Sequence, residues 1–224
     1  MVRLCVFDCD GTLVDGQAPI VAAMAAAFAA HGHPPPAAAA VRRVVGLSLV
    51  EAIARLLPEG DAAAWGALAR AYSDAFAESR RIGAVAEPLY PGALACLEAL
   101  EDGGWVLGLA TGKSRRGALA TLARHQLVSR FVTVQTADVA LGKPSPDMVL
   151  RAMDDAGAAP SATVMVGDTT YDMMMACSAG ALAVGVTWGY HGIEELTASG
   201  AHALVDRFDD VASTVQALCD APRR

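Results

Sequence analysis

Leu4-Cys5-Val6-Phe7-Asp8-Cys9-Asp10-Gly11-Thr12 begins with four apolar residues and runs straight into two acidic ones. A short apolar run bounded by turn residues reads as a strand buried on both faces. Two carboxylates at the mouth of such a strand are costly, because like charges repel and burial penalises each of them. A divalent cation or a shared proton offsets that cost. Gly11 lets the backbone turn sharply or approach a ligand closely.

Further along the chain the same kind of run recurs at Val106–Ala110, Phe131–Val134, Thr163–Val166 and Ala183–Val186. Helical patterns lie between them at Ala93–Glu101, Arg116–His125, Pro146–Asp155 and Tyr171–Ala179. Strands alternating with helices predict an α/β fold, a Rossmann-like parallel sheet core with helices on both faces. The gap after the first strand is too long for a simple crossover. Residues from about Asp15 to Glu87 read as mostly helical, broken at His33-Pro34-Pro35-Pro36 and at Pro58-Glu59-Gly60-Asp61. An inserted α-helical cap domain is therefore expected over 16–87, with the catalytic core formed by 1–15 and 88–224. Its hinges would be Asp15-Gly16 and Glu87-Pro88-Leu89-Tyr90-Pro91-Gly92.

Composition narrows the class. At 224 residues the chain is long enough for one large domain with an insertion. A net charge of -7 argues against a basic nucleic-acid surface. Cys5, Cys9, Cys96, Cys177 and Cys219 are scattered and odd in number, with no CxxC pair, so neither a zinc site nor a disulfide framework is expected. The longest apolar stretch, Ile20–Ala30, is too short to span a bilayer. The N-terminus leads directly into the first strand pattern, which leaves no room for a signal peptide. A reduced, cytoplasmic, soluble protein without a nucleic-acid or membrane partner is expected. Nothing in the sequence sets an oligomeric state.

Ligands of an open parallel sheet bind at the carboxyl ends of its strands. After the first strand come Asp8 and Asp10. Thr111-Gly112-Lys113-Ser114 follows the second, Lys143-Pro144-Ser145-Pro146 comes several residues after the third, and Gly167-Asp168-Thr169-Thr170-Tyr171-Asp172 follows the fourth. Asp168 and Asp172 are four apart, so an opening helical turn could place both on one face. This inventory suits phosphoryl transfer. Mg²⁺ prefers oxygen ligands and binds through one or two carboxylates plus a phosphate, and Asp8 and Asp168 can supply those carboxylates. Thr111 and the Gly112 amide, at a helix start, can hold phosphate oxygens. Lys143 can neutralise charge on nucleophile and phosphoryl group.

In the order and spacing of Asp8-x-Asp10-Gly11-Thr12, Thr111, Lys143, and Gly167-Asp168 with Asp172, the chain resembles the haloacid dehalogenase superfamily. It is most similar to the phosphoglycolate phosphatase and β-phosphoglucomutase-like branch, which carries a helical cap. The resemblance implies a Mg²⁺-dependent phosphatase acting on a small phosphorylated metabolite, phosphoglycolate-like or a sugar phosphate. Asp8 would be the nucleophile that forms an aspartyl-phosphate. Asp10 would protonate the leaving oxygen, then activate water, and would also offer its backbone carbonyl to the metal. Asp168 would ligate the metal and Asp172 support it, while Thr111, Gly112 and Lys143 hold phosphate and nucleophile. Gly16 stands where relatives often have Ser, a change expected to touch no catalytic role.

Three other functions compete. A phosphomutase would need a cap that holds the intermediate and rejects water, and no sequence feature marks one. A 2-haloacid dehalogenase would lack the second acidic residue, whereas Asp10 is present. A signal-receiver domain would lack the large insert and the late Gly-Asp. Outside the motifs, Lys113, Arg115 and Arg116 read as the start of a solvated helix face. The five histidines (His31, His33, His125, His191, His202) read as surface or loop residues, and Arg42, Arg43, Arg80 and Arg81 as mostly exposed. Asp15 reads as a helix cap or hinge, and Met173-Met174-Met175 as core packing.

Overall fold

The computed structural model describes residues 1–221. Its centre is a six-stranded, all-parallel sheet in the order β3-β2-β1-β4-β5-β6. The strands are β1 (Val2–Phe7), β2 (Trp105–Thr111), β3 (Phe131–Thr136), β4 (Ala158–Gly167), β5 (Leu182–Val186) and β6 (Ala203–Val205). The first five contain the runs expected from sequence; β6 is an addition, three residues long at the sheet edge. Helices α1 (Gln17–Ala30), α2 (Ala38–Val44), α3 (Leu49–Leu56) and α4 (Ala62–Arg81) follow β1. The others are α5 (Ala93–Asp102), α6 (Arg115–Arg124), α7 (Asp147–Ala156), α8 (Thr170–Ser178), α9 (Ile193–Ala198) and α10 (Val211–Asp220).

Alternation along β1 explains the two-sided core. Cys5 and Phe7 pack with Leu97, Leu122 and Val215 on one face. Leu4 and Val6 pack with Met148, Met165 and Met173 on the other. Successive side chains of a strand point to opposite faces, so a strand covered on both sides must be apolar throughout. Met173 and Met175 are buried as expected, while Met174 is 43% exposed.

The helices after β1 have a core of their own, built from Ile20, Met24, Phe28, Val41, Ile53 and Leu68. The proline-rich break falls between α1 and α2, and Asp61 ends the second break by capping α4 through its carboxylate and Ala64 N (2.9 Å). The two connections between this helical layer and the sheet lie against each other. Val14 pairs antiparallel with Leu89, Asp15 N donates to Pro88 O (2.9 Å), and Tyr90 N donates to Leu13 O (3.0 Å). Asp15 also accepts weakly from Gln17 N at the start of α1 (3.3 Å). Opposite these crossings the layer meets the sheet a second time. Arg43 pairs with Glu195 (2.5 Å), and Tyr171 Oη donates to Arg43 O (3.0 Å).

Candidate active site

The connection from β3 to β4 carries the chain across the sheet, so β1 and β4 flank the point where strand order reverses. Open α/β sheets bind ligands at that point. Asp8 follows β1, Asp168 follows β4 and Thr111 ends β2, so three adjacent strands deliver them to one edge. Asp8, Asp168 and Asp172 are buried, and each offers an oxygen within 4.8 Å of the others.

Each carboxylate has a distinct set of partners. Lys143, fully buried, lies 2.8 Å from Asp8 Oδ1 and 2.6 Å from Asp172 Oδ1. Asp168 accepts from Thr12 Oγ1 (2.8 Å) and from Tyr190 N (2.9 Å). Asp172 is locked into a capping box with Thr169, its Oδ2 accepting from Thr169 N (3.0 Å) and Thr169 Oγ1 (2.6 Å). Gly11 has φ +84°, and a Cβ there would strike the Asp168 carboxylate, so the turn after Asp10 admits only glycine.

The electrostatics follow from burial. Burial pushes Asp8 up to about 7, the Lys143 charge opposes that rise, and the Asp172 charge adds to it. Asp168 is raised well above the carboxylate range by burial and by the charges of Asp8 and Asp172. Burial works against the Lys143 ammonium, but Asp172 and Asp8 outweigh it and keep it protonated. Three carboxyl groups share one ammonium, and buried Asp8 Oδ2 has neither hydrogen bond nor ion pair. An all-oxygen acidic set with an orphaned oxygen fits a hard divalent cation such as Mg²⁺, whose charge would offset the cost of ionising these groups.

Asp10 stands apart from that cluster. Its Oδ2 lies 2.9 Å from Lys113 Nζ, and Lys113 in turn lies 2.8 Å from Glu87 Oε1. Burial raises the Asp10 carboxyl, with Lys113 opposing. Lys113 is therefore not on a solvated helix face: its side chain is only 11% exposed and bridges two buried acids. Arg115 and Arg116 are exposed as expected. Arg80, also expected to be exposed, is half-buried and pairs with Glu87 (2.9 Å), whereas Arg81 is exposed and pairs with Glu78. Gly16 presses on this end too: a Cβ there would strike Asp10 Oδ1, so the position bears directly on the acid.

Thr111 is buried, and its hydroxyl accepts from Lys113 N (3.3 Å). Gly112 precedes α6 instead of opening it, because Ser114 caps that helix through Gly117 N (3.3 Å). A Cβ on Gly112 would strike the carbonyls of Gly46 and Leu47, so the helical layer rests directly on this residue. His191 lies in the loop between β5 and α9, one of the two settings expected for it, but is buried there. Its Nδ1 accepts from Thr170 N (3.1 Å), which leaves Nε2 to donate toward Arg43 O (3.4 Å). Lys113 sits inside the quoted Thr111–Ser114 run, and its position directly after a strand was the available signal. Glu87 and His191 carried none.

A cavity of about 780 Å³ lies between the strand ends and the helical layer. Asp8, Asp10, Thr111, Gly112 and Lys113 line it from the sheet side, and Met24, Val44, Leu47, Tyr72 and Phe76 from the helical side. The fold and site thus define an α/β enzyme with a buried acidic cluster under a helical layer. The chain belongs to the haloacid dehalogenase-like hydrolase family, whose model matches residues 2–180. It is 38% identical over 221 residues to "Probable phosphatase IndB" of Dickeya dadantii, covering 97% of this chain and 95% of that protein. It is 32% identical over 212 residues to a phosphoglycolate phosphatase of Pseudomonas putida, covering 91% of this chain and 76% of that one. The crystal structure of a hydrolase from Pseudomonas syringae superposes with a TM-score of 0.84 at 26% identity, over 97% of this chain and 99% of that chain.

Proposed function

We propose that this hydrolase is a Mg²⁺-dependent phosphatase that cleaves a small phosphorylated metabolite through an aspartyl-phosphate on Asp8. The observation that carries the reading is the division of the two neighbouring acids. Asp8 belongs to the Lys143–Asp172 cluster, whereas Asp10 faces the same cavity with a cation of its own. The named phosphatases among its relatives support the same reading.

Lys143 fixes the Asp8 carboxylate and neutralises charge as an oxygen of Asp8 bonds to phosphorus and the ester P–O bond breaks. Asp10, whose burial favours the protonated form, gives its proton to the departing alkoxide. The same carboxylate then takes a proton from water as the water oxygen attacks phosphorus and frees Asp8. Thr111 and the Gly112 amide hold phosphoryl oxygens. Mg²⁺ held by Asp8, Asp168 and the Asp10 carbonyl, with Asp172 in support, would supply charge neutralisation on the phosphoryl group. Residues 16–87 serve as the cap, excluding water and selecting the leaving group. The scattered cysteines fit a cytoplasmic setting; among the described residues no helix is long and apolar enough to cross a membrane.

Release of inorganic phosphate from a broad panel of phosphate esters, with and without Mg²⁺, tests this reading. Turnover should need Mg²⁺, vanish in Asp8→Asn, and fall roughly 10²-fold or more in Asp10→Asn. Absence of Mg²⁺-dependent turnover on the whole panel rejects the phosphatase, and full activity in Asp10→Asn rejects the acid–base assignment.

A further inference from the structure

The cavity is built for something other than a two-carbon acid. Its volume of about 780 Å³ is in the range of sites that enclose drug-sized molecules. On the helical side Met24, Val41, Val44, Leu47, Tyr72 and Phe76 give the cavity an extensive apolar lining, interrupted by Arg70, Ser73 and Arg80. Tyr72 and Phe76 lie one turn apart on α4, with ring centroids 5.8 Å apart and planes at 33°. Both rings line the cavity that Asp8 and Asp10 enter, Phe76 with the Arg80 and Lys113 cations over its ring (5.2 and 5.5 Å from the centroid).

The cations near the reacting end are already matched. Lys113 is held between Asp10 and Glu87, and Arg80 is paired with Glu87. Lys143 is held between Asp8 and Asp172. Arg70, Asp74, Arg116 and Asp138 also line the cavity. A short carboxylate on the leaving group would sit next to the Asp10 carboxyl, where Lys113 and Lys143 are already held by Asp10, Glu87, Asp8 and Asp172. Burying an unpaired charge is costly.

We infer that the alcohol released by this enzyme carries an aromatic or comparably apolar body, seated against Tyr72 and Phe76, and is not a short carboxylate. This rests on the phosphatase reading and deepens it. It separates the chain from the activity for which its phosphoglycolate phosphatase relatives are named.

Two matched pairs of compounds test it. 2-Phenylethyl phosphate and 2-phosphoglycolate are both alkyl esters, so their leaving alcohols are comparable in chemistry. Their methylene analogues, 3-phenylpropylphosphonate and 3-phosphonopropionate, bind but cannot be hydrolysed. Burial of a phenyl-sized group is worth about tenfold or more in affinity. In the presence of Mg²⁺, kcat/KM should favour the phenylethyl ester about tenfold or more. Calorimetry on the wild-type protein should show the same preference for the phenylpropylphosphonate. In Tyr72→Ala and Phe76→Ala the preference should shrink toward parity. Equal or reversed preference with measurable turnover overturns the inference and leaves the phosphatase intact. Failure to turn over either ester counts against the phosphatase reading, and the phosphonate pair then decides the inference: a tenfold preference supports it, and parity overturns it.

Discussion

Lys113 Nζ lies 2.9 Å from Asp10 Oδ2, so the acid proposed to serve the leaving group is tied to a cation in the turn after β2. That cation is shared with Glu87 on the linker returning from the helical layer (2.8 Å). Glu87 is also held by Arg80 at the end of α4 and by Thr121 on α6 (3.3 Å). One buried network thus joins the acid, the linker and the helical layer.

Removing the shared cation tests that network. Lys113→Met leaves Asp10 and Glu87 buried without their common partner. The expected cost is about 3 kcal/mol of stability, in line with breaking other buried ion pairs. Chemical denaturation of the two proteins measures it; a loss below about 1 kcal/mol would mean that Lys113 is a surface charge.

Glu87 gives the network a pH signature. Burial alone would raise its carboxyl, but Lys113 and Arg80 outweigh burial and lower it below the ordinary value of 4.5. A depressed carboxylate stabilises the folded state above the unfolded value and loses that contribution as pH falls through the folded value. The stability difference between wild type and Glu87→Gln should therefore be largest above about pH 4.5 and shrink below it. Thermal melts of both proteins across this range read the difference, and a gap that widens toward acid pH would reverse the sign.

Gly112 is where closure can be blocked without touching a charged group. Gly112→Ala places a methyl against the Gly46 and Leu47 carbonyls, and backbone yields little. The helical layer must lift, so kcat/KM should fall by roughly tenfold or more while the melting temperature changes little. Unchanged kinetics would show that the layer tolerates a gap there.

The acidic cluster predicts a metal-linked gain in stability. Mg²⁺ at about one hundred times its dissociation constant should stabilise the protein by roughly 2.7 kcal/mol. Asp168→Asn should lose most of that gain. Equal stabilisation of wild type and variant would place the ion elsewhere.

How much of this was legible in the sequence depends on where each residue sits relative to a strand. Asp8, Thr111 and Asp168 each lie at the end of an apolar run, Lys143 lies in the loop after β3, and parallel strands deliver their carboxyl ends to one edge. Spacing alone therefore brought them together. Lys113 misled because Arg115 and Arg116 follow it and the run reads as a solvated helix face. Its burial depends on Glu87, 26 residues earlier in sequence and brought near only by closure of the linker. The strand β6 spans three residues, too few for any periodicity to declare itself. His191 is held by Thr170 at the start of α8 and by Arg43 of α2, and the second contact exists only once the helical layer has docked.

The covalent step on Asp8 is tested most directly by trapping it. Asp10→Asn is mixed with Mg²⁺ and p-nitrophenyl phosphate, whose leaving group departs without a general acid, then quenched in acid within one turnover, reduced with borohydride and mapped by mass spectrometry. Borohydride converts an aspartyl-phosphate to homoserine. Near-stoichiometric homoserine at position 8, absent from Asp8→Asn, is the expected result. Phosphate release with Asp8 unmodified, or with the label on another residue, would contradict the two-step mechanism.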